Sequence, residues 1–206
     1  MAVPDVTFLV RDAAPLEHAA VPTLRFGLAI VSAMDVRSIV LDVQIQIAAR
    51  RRAYDASVHD RLFELFGPAE AWGTTLRTLP WTRLTVVVPP FKGRTLVDVD
   101  VPCTYDLEVV ASRYFDALED GDVPLEFLFS GTVFYGAPLQ AARISWASEA
   151  QYRLPVRVWK ATMERHFRDT AWLRVRKDRF DRLVSYKSRR ALASWEDVVD
   201  DLLERA

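Results

Sequence analysis

Hydrophobic and polar positions alternate through most of the first half of the chain. In TLRFGLAIV, residues Leu24, Phe26, Leu28 and Ile30 share one face; in SIVLDVQIQIA, Ile39, Leu41, Val43, Ile45 and Ile47 do the same, with Asp42, Gln44 and Gln46 opposite. A period of two is the mark of a half-buried strand. The intervening SAMDVR is short enough for a hairpin, so two strands are expected here. VTFLVRD reads as an earlier strand, with Pro15 and Pro22 bracketing the loop after it. RLTVVVPPF is a strand stopped by two prolines, and TLVDVDVP points Val97, Val99 and Val101 inward and Asp98 and Asp100 outward. PLEFLFSGTVFYG is apolar on both faces, which places it inside a sheet.

The period then changes to that of helices. SVHDRLFELFGP carries a stripe of Val58, Leu62, Leu65 and Phe66, with Ser57 as expected N-cap and Gly67–Pro68 as the stop. AEAWGTTLRTLPWT is expected to be a loop anchored by Trp72 and Trp81. From Asp106 as N-cap, Leu107, Val110, Ala111, Tyr114, Phe115 and Leu118 recur at helical spacing, and Gly121 follows. Near the C-terminus, Val156, Trp159, Met163 and Phe167 follow Pro155. Phe180, Leu183 and Val184 mark a second helix. Ser194 opens a third, whose Trp195, Val198, Val199, Leu202 and Leu203 form one apolar face.

Strands and helices do not alternate regularly, so a doubly wound parallel sheet is excluded. The expected fold is α+β: an antiparallel sheet or β-sandwich body with a central amphipathic helix and C-terminal helices. Residues 1–150 form the β-rich body, with helices near 57–66 and 106–119. Residues 151–206 form a helical segment expected to pack on the same domain.

Composition changes this picture little. The chain has 206 residues, half of them hydrophobic, and a net charge of −1, which gives no global pull toward nucleic acid or membrane. No apolar run approaches the ~20 residues of a membrane span, and MAVPDVTFLVRD lacks the basic leader and long apolar core of a signal peptide. A single cysteine excludes an internal disulfide framework and fits a reducing cytoplasm. Charge placement is more informative. Arg157–Arg190 holds 12 basic residues against four acidic ones, so the rest of the chain is acidic. Such asymmetry marks either a docking surface or internal complementarity.

The stretches AAVPTLRFGLAI, VPCTYDLEVVASRYFDALEDGDVPLEFLFSGTVFY and QYRLPVRVWKATMERHF, followed by WLRV, resemble an uncharacterised, largely actinobacterial family of proteins of unknown function. Its members are often encoded near nickel–iron hydrogenase genes. The resemblance spans nearly the whole chain and implies an accessory or assembly role. It brings no catalytic residues with it.

The residues offer few chemistries. GxGxxG, GxxxxGK[ST], GxSxG, CxxC and HExxH are all absent, so Rossmann, P-loop, hydrolase-elbow and zinc chemistry lack their sequence marks. No metal site, cofactor or catalytic set is expected. His166 and Asp169 would supply at most half a metal site. Asp98 and Asp100 read as solvated, and Arg50–Arg52 as guards of a strand edge. Cys103 is either a reactive thiol near a helix N-terminus or a small buried residue at a strand–helix junction. The candidate binding residues are Arg174, Arg176, Lys177, Arg179 and Arg182, with Trp172 among them. They are solvated or internally paired, or they dock a protein; nucleic acid ranks last, since no nucleic-acid fold motif accompanies them. A protein-binding accessory role therefore leads. A thiol-dependent factor using Cys103 and a structural homo-oligomer are the alternatives.

Overall fold

The computed structural model describes residues 4–104, 109–168, 170 and 174–205. Seven strands and six helices occur among them. The strands are β1 (Val6–Pro15), β2 (Thr23–Ile47), β3 (Leu79–Val88), β4 (Phe91–Pro102), β5 (Asp122–Tyr135), β6 (Gln140–Arg143) and β7 (Glu149–Pro155). The helices are α1 (Ala56–Phe66), α2 (Trp72–Thr75), α3 (Val110–Asp116), α4 (Val156–His166), α5 (Lys177–Arg189) and α6 (Trp195–Leu203). The fold is α+β: every strand pairing in the single seven-stranded sheet is antiparallel. The chain divides into two compact units, Met1–Ala171 and Trp172–Ala206. The helix that follows Pro155, α4, lies within the first.

The expected hairpin at SAMDVR does not form. β2 runs unbroken for 25 residues and is the spine of the sheet. Its first half pairs with β1 and β4, its second half with β3 and β5. Buried side chains switch from even positions (Leu24 to Ile30) to odd ones (Ile39 to Ile47). The cause is extra residues in the strand. Ser32 pairs with Gly93 but Val36 with Phe91, two extra residues that keep the parity, and Val36 pairs with Tyr135 but Ser38 with Phe134, one extra residue that reverses it. Such bulges bend a strand and reverse which face its later residues present. A reversal of parity across a short polar stretch looks the same in sequence whether the cause is a bulge or a turn.

The bend lets the two halves of the sheet pack on each other. Phe8 of β1 stacks on Phe129 of β5 with ring centroids 4.2 Å apart, and Phe26 of β2 meets Phe127 at 5.3 Å. β5 pairs with β2 along one edge and with β6 and β7 along the other, as its two apolar faces require. Gly131 on β5 sits at φ +138, where a Cβ would lie 2.1 Å from the Val40 carbonyl oxygen. Only glycine lets the two backbones approach this closely.

Local signals differ from the expectation in three places. Asp55, not Ser57, is the N-cap of α1, and its side chain makes no capping bond. The expected loop 69–82 contains a 3-10 turn, the one-turn α2 and the start of β3, so Trp81 is a strand residue. β6 has no strong alternating stripe, whereas β7 alternates Ala150, Tyr152 and Leu154 against Glu149, Gln151 and Arg153; neither is among the expected strands. Asp106 and Leu107 lie outside the described residues. The helix described here, α3, takes Val109 as its N-cap and buries Ala111, Tyr114 and Phe115.

Arg50, Arg51 and Arg52 do not guard an edge. Arg50 donates to the Leu76 carbonyl, Arg51 pairs with Glu126 at 2.9 Å, and Arg52 donates to the carbonyls of Asp120 and Asp122. They tie the end of β2 to three neighbouring segments.

Candidate functional site

The basic segment read from the sequence is shared between the two units. Lys160 on α4 donates to the Glu119 carbonyl at 3.1 Å, and Arg165 reaches Glu17 at 3.5 Å. These cations serve contacts within the first unit. Arg157 and Arg168 also belong to the first unit, and the second carries the other eight basic residues.

That unit is a pair of helices. Ser194 caps α6 and forms a reciprocal capping box with Asp197; the bonds to Ser194 hold the Asp197 carboxyl below the usual carboxylate range. Phe180 of α5 meets Trp195 of α6 at 5.3 Å, and the Tyr186 hydroxyl donates to Asp201. Asp201 also takes Arg190 at 2.7 Å and Arg205 at 3.2 Å. Lys187 closes the connection by donating to the carbonyls of Leu192 and Ala193.

Among the described residues of this unit, only Val198 is a buried hydrophobic. Trp195, Val199 and Leu203 are exposed by 41%, 53% and 68%, and Phe180, Val184 and Leu202 are also open. Burying one valine brings on the order of 2 kcal/mol. Fixing each residue of a helix costs ~1–2 kcal/mol. The pair therefore presents apolar surface that its own two helices leave uncovered.

The candidate cations differ in how they are engaged. Arg176 pairs with Asp178 at 3.1 Å and Arg179 approaches the same carboxylate at 3.9 Å. Lys177 pairs with Asp181 one turn on. Arg182 makes no ion pair among the described residues. Arg174 is exposed just before α5, and Trp172 lies outside the described residues. Two members of the surface were missed. Arg189 is likewise without an ion pair among the described residues, and with Arg179, Arg182 and Tyr186 it falls on one stripe of α5, at i, i+3, i+7 and i+10. That spacing was readable from the sequence; the run of basic residues around it hid it.

Cys103 follows β4 directly. It is 6% exposed and belongs to the core. Its N–H donates to the Pro22 carbonyl at 2.7 Å, and its Sγ donates to the Val101 carbonyl at 3.4 Å. Burial pushes the thiol up to about 12, so at neutral pH it is a protonated thiol rather than a thiolate. α3 begins at Val110, with Val109 as its N-cap.

A buried polar cluster lies beneath α1 and α3. The hydroxyls of Tyr54 and Tyr114 are 2.6 Å apart, and Tyr54 donates to the Ala49 carbonyl at 2.8 Å. Burial raises both phenols, so both stay neutral. On α3, Asp116 Oδ2 is buried with no hydrogen-bond partner among the described residues. Burial raises this carboxyl to about 6, opposed by the charge of Lys160. On the outer sheet face, Asp98 and Asp100 both pair with Arg25, at 3.0 and 2.7 Å. His166 bonds the carbonyls of Thr162 and Ala19; Asp169 lies outside the described residues. Among the described residues no group of three His, Cys, Asp or Glu side chains could hold a metal ion. No helix among them is long and apolar enough to cross a membrane.

The fold and surface define an α+β protein with a bent antiparallel sheet and a C-terminal helical pair that is both basic and apolar. The chain belongs to a family of unknown function, DUF6084, whose profile matches residues 3–206. No curated protein matches it. Among solved structures it is similar to a CARDB domain from Pyrococcus furiosus, crystallised in complex with di-metal ions, at 10% identity and TM-score 0.29, covering 73% of this chain and 91% of that one. It is also similar to a putative late embryogenesis abundant protein at 15% identity and TM-score 0.34, covering 74% of this chain and 72% of that one. A β-glucosidase from Kluyveromyces marxianus is similar at 9% identity and TM-score 0.26, covering 74% of this chain but 15% of the enzyme.

Proposed function

We propose that this chain is a cytoplasmic accessory or assembly protein that binds another protein through its C-terminal helical pair. The observation that carries the reading is the open apolar set Phe180, Val184, Trp195, Val199, Leu202 and Leu203 beside Arg182 and Arg189, which make no ion pair among the described residues. A soluble protein seldom keeps so much clustered apolar surface without a partner for it. The family resemblance makes a component of nickel–iron hydrogenase assembly the first partner to test. The test is a pull-down of the tagged full chain from its host at low and moderate salt. A specific protein that is lost as salt rises, and lost from Val199→Asp, supports the reading. A partner retained by Val199→Asp and indifferent to salt contradicts it.

Two other readings make separate demands. A thiol-dependent factor requires Cys103 to leave its buried site, and it predicts loss of the host phenotype in Cys103→Ala. A structural homo-oligomer requires light scattering to return a multiple of 23.5 kDa.

A further inference from the structure

The partner's chemistry can be narrowed, on the footing that the helical pair is the docking surface. An open hollow of about 720 Å³ on this unit is lined by Arg179, Arg182, Leu183, Tyr186, Arg189 and Leu202 among others. Two of the three arginines, Arg182 and Arg189, make no ion pair among the described residues. They stand seven residues apart on α5, a rise of ~10 Å along the helix. Leu183 and Leu202 supply the apolar lining, and the Tyr186 hydroxyl is already engaged with Asp201.

An occupant must therefore bring carboxylates at two points about two helical turns apart, with apolar side chains between them. An α-helix with acidic residues at i and i+7 and apolar residues at i+3 and i+4 meets that demand. Docking of such a helix into a groove is a general recognition mode. A phosphate backbone meets it poorly. Phosphates make no use of the apolar lining that Leu183 and Leu202 supply. The geometry points to an acidic amphipathic helix of a partner protein as the occupant of this groove, held by Arg182 and Arg189 at its rim and by Leu183 and Leu202 beneath.

The full chain is titrated, by fluorescence anisotropy, against a labelled synthetic helix of about 20 residues with a leucine stripe flanked by glutamates. The comparison probes are a scrambled peptide of the same composition, a lysine-for-glutamate counterpart, and a short DNA duplex. Binding is expected for the acidic amphipathic helix alone, weakening as salt rises. Arg182→Glu/Arg189→Glu is expected to weaken it at least tenfold with an unchanged thermal melt, since neither arginine makes an ion pair among the described residues. Equal binding of the scrambled peptide or the duplex, or unchanged binding by the double variant, overturns the inference. So does sedimentation that shows the wild-type chain as a dimer dissociated by the double variant, because a second copy would then fill the groove. The host pull-down separates the two levels. If the double variant loses the host partner while the synthetic helix never binds, protein docking stands and the acidic helix falls. If the double variant keeps the host partner, docking at this face falls as well.

Discussion

Two helices, α4 and α6, make the instructive comparison. Both show apolar residues at helical spacing, and both stripes are readable in the amino-acid sequence. On α4, Val156, Trp159 and Met163 are all buried, and Trp159 lies flat against Phe115 at 5.1 Å. On α6, Val198 alone is buried, while Trp195, Val199, Leu202 and Leu203 stay open. Periodicity shows which side of a helix wants cover; it does not show what supplies it. For α4 the cover is the sheet body and α3. For α6 we propose that it is another protein.

The largest expected effect breaks the well-covered side. Gly131→Val should destabilise the body by about 4 kcal/mol or more, because a Cβ there meets backbone that cannot yield. A denaturant midpoint close to wild type would show that β5 and β2 can separate without cost. Next, Phe115→Ala should cost about 3–5 kcal/mol, since the ring packs against both Trp81 and Trp159. Leu203→Ser, on the open side, should shift the same midpoint by no more than about 0.5 kcal/mol. Equal losses from these two variants would erase the contrast between the helices.

A smaller effect concerns Asp116. An unfolded carboxyl titrates near ~3.9, while the folded one is raised to about 6 by burial. The folded state therefore holds its proton more tightly. The stability linked to Asp116 is fully present below the unfolded value and is lost as pH rises through about 6. With allowance for its half-exposed position, the effect is about 1 kcal/mol. Asp116→Asn should be the more stable protein at pH 7 and should flatten the pH dependence of the melt between ~4 and ~7. A variant less stable than wild type at pH 7 would mean that the ionised carboxylate has a partner. An effect of similar size is expected at Cys103. Cys103→Ala should fold with a cost of about 1 kcal/mol, and the native thiol should react with a disulfide reagent only as fast as the chain opens. Rapid labelling of the folded protein would revive the thiol-dependent reading.

The sequence made most of the strands legible, because alternation survives in β1 to β4 where one face is buried, and β5 stands out as an apolar run with two covered faces. It misled at SAMDVR, where bulges reverse parity as a turn would. It was silent on β6, whose four residues carry little contrast between faces, while the short alternation of β7 (Ala150, Tyr152, Leu154) was legible but overshadowed by the helix that follows Pro155. The site was legible by halves. Arg179 and Arg182 stood out by local density, but Arg189 belongs with them through helical geometry, and the ion pairs that engage Arg176 and Lys177 depend on side-chain placement. The Tyr54–Tyr114 contact joins residues 60 positions apart, and no local pattern announces it.

Amide hydrogen exchange on the full chain tests the contrast most directly. The prediction is that 177–203 exchanges with little protection, opening at a free energy near zero to about 2 kcal/mol, while β2 and β5 exchange only with global unfolding. Protection of α6 equal to that of β2 would mean that its apolar face is already covered in the isolated protein, and would contradict the proposal that a partner completes it.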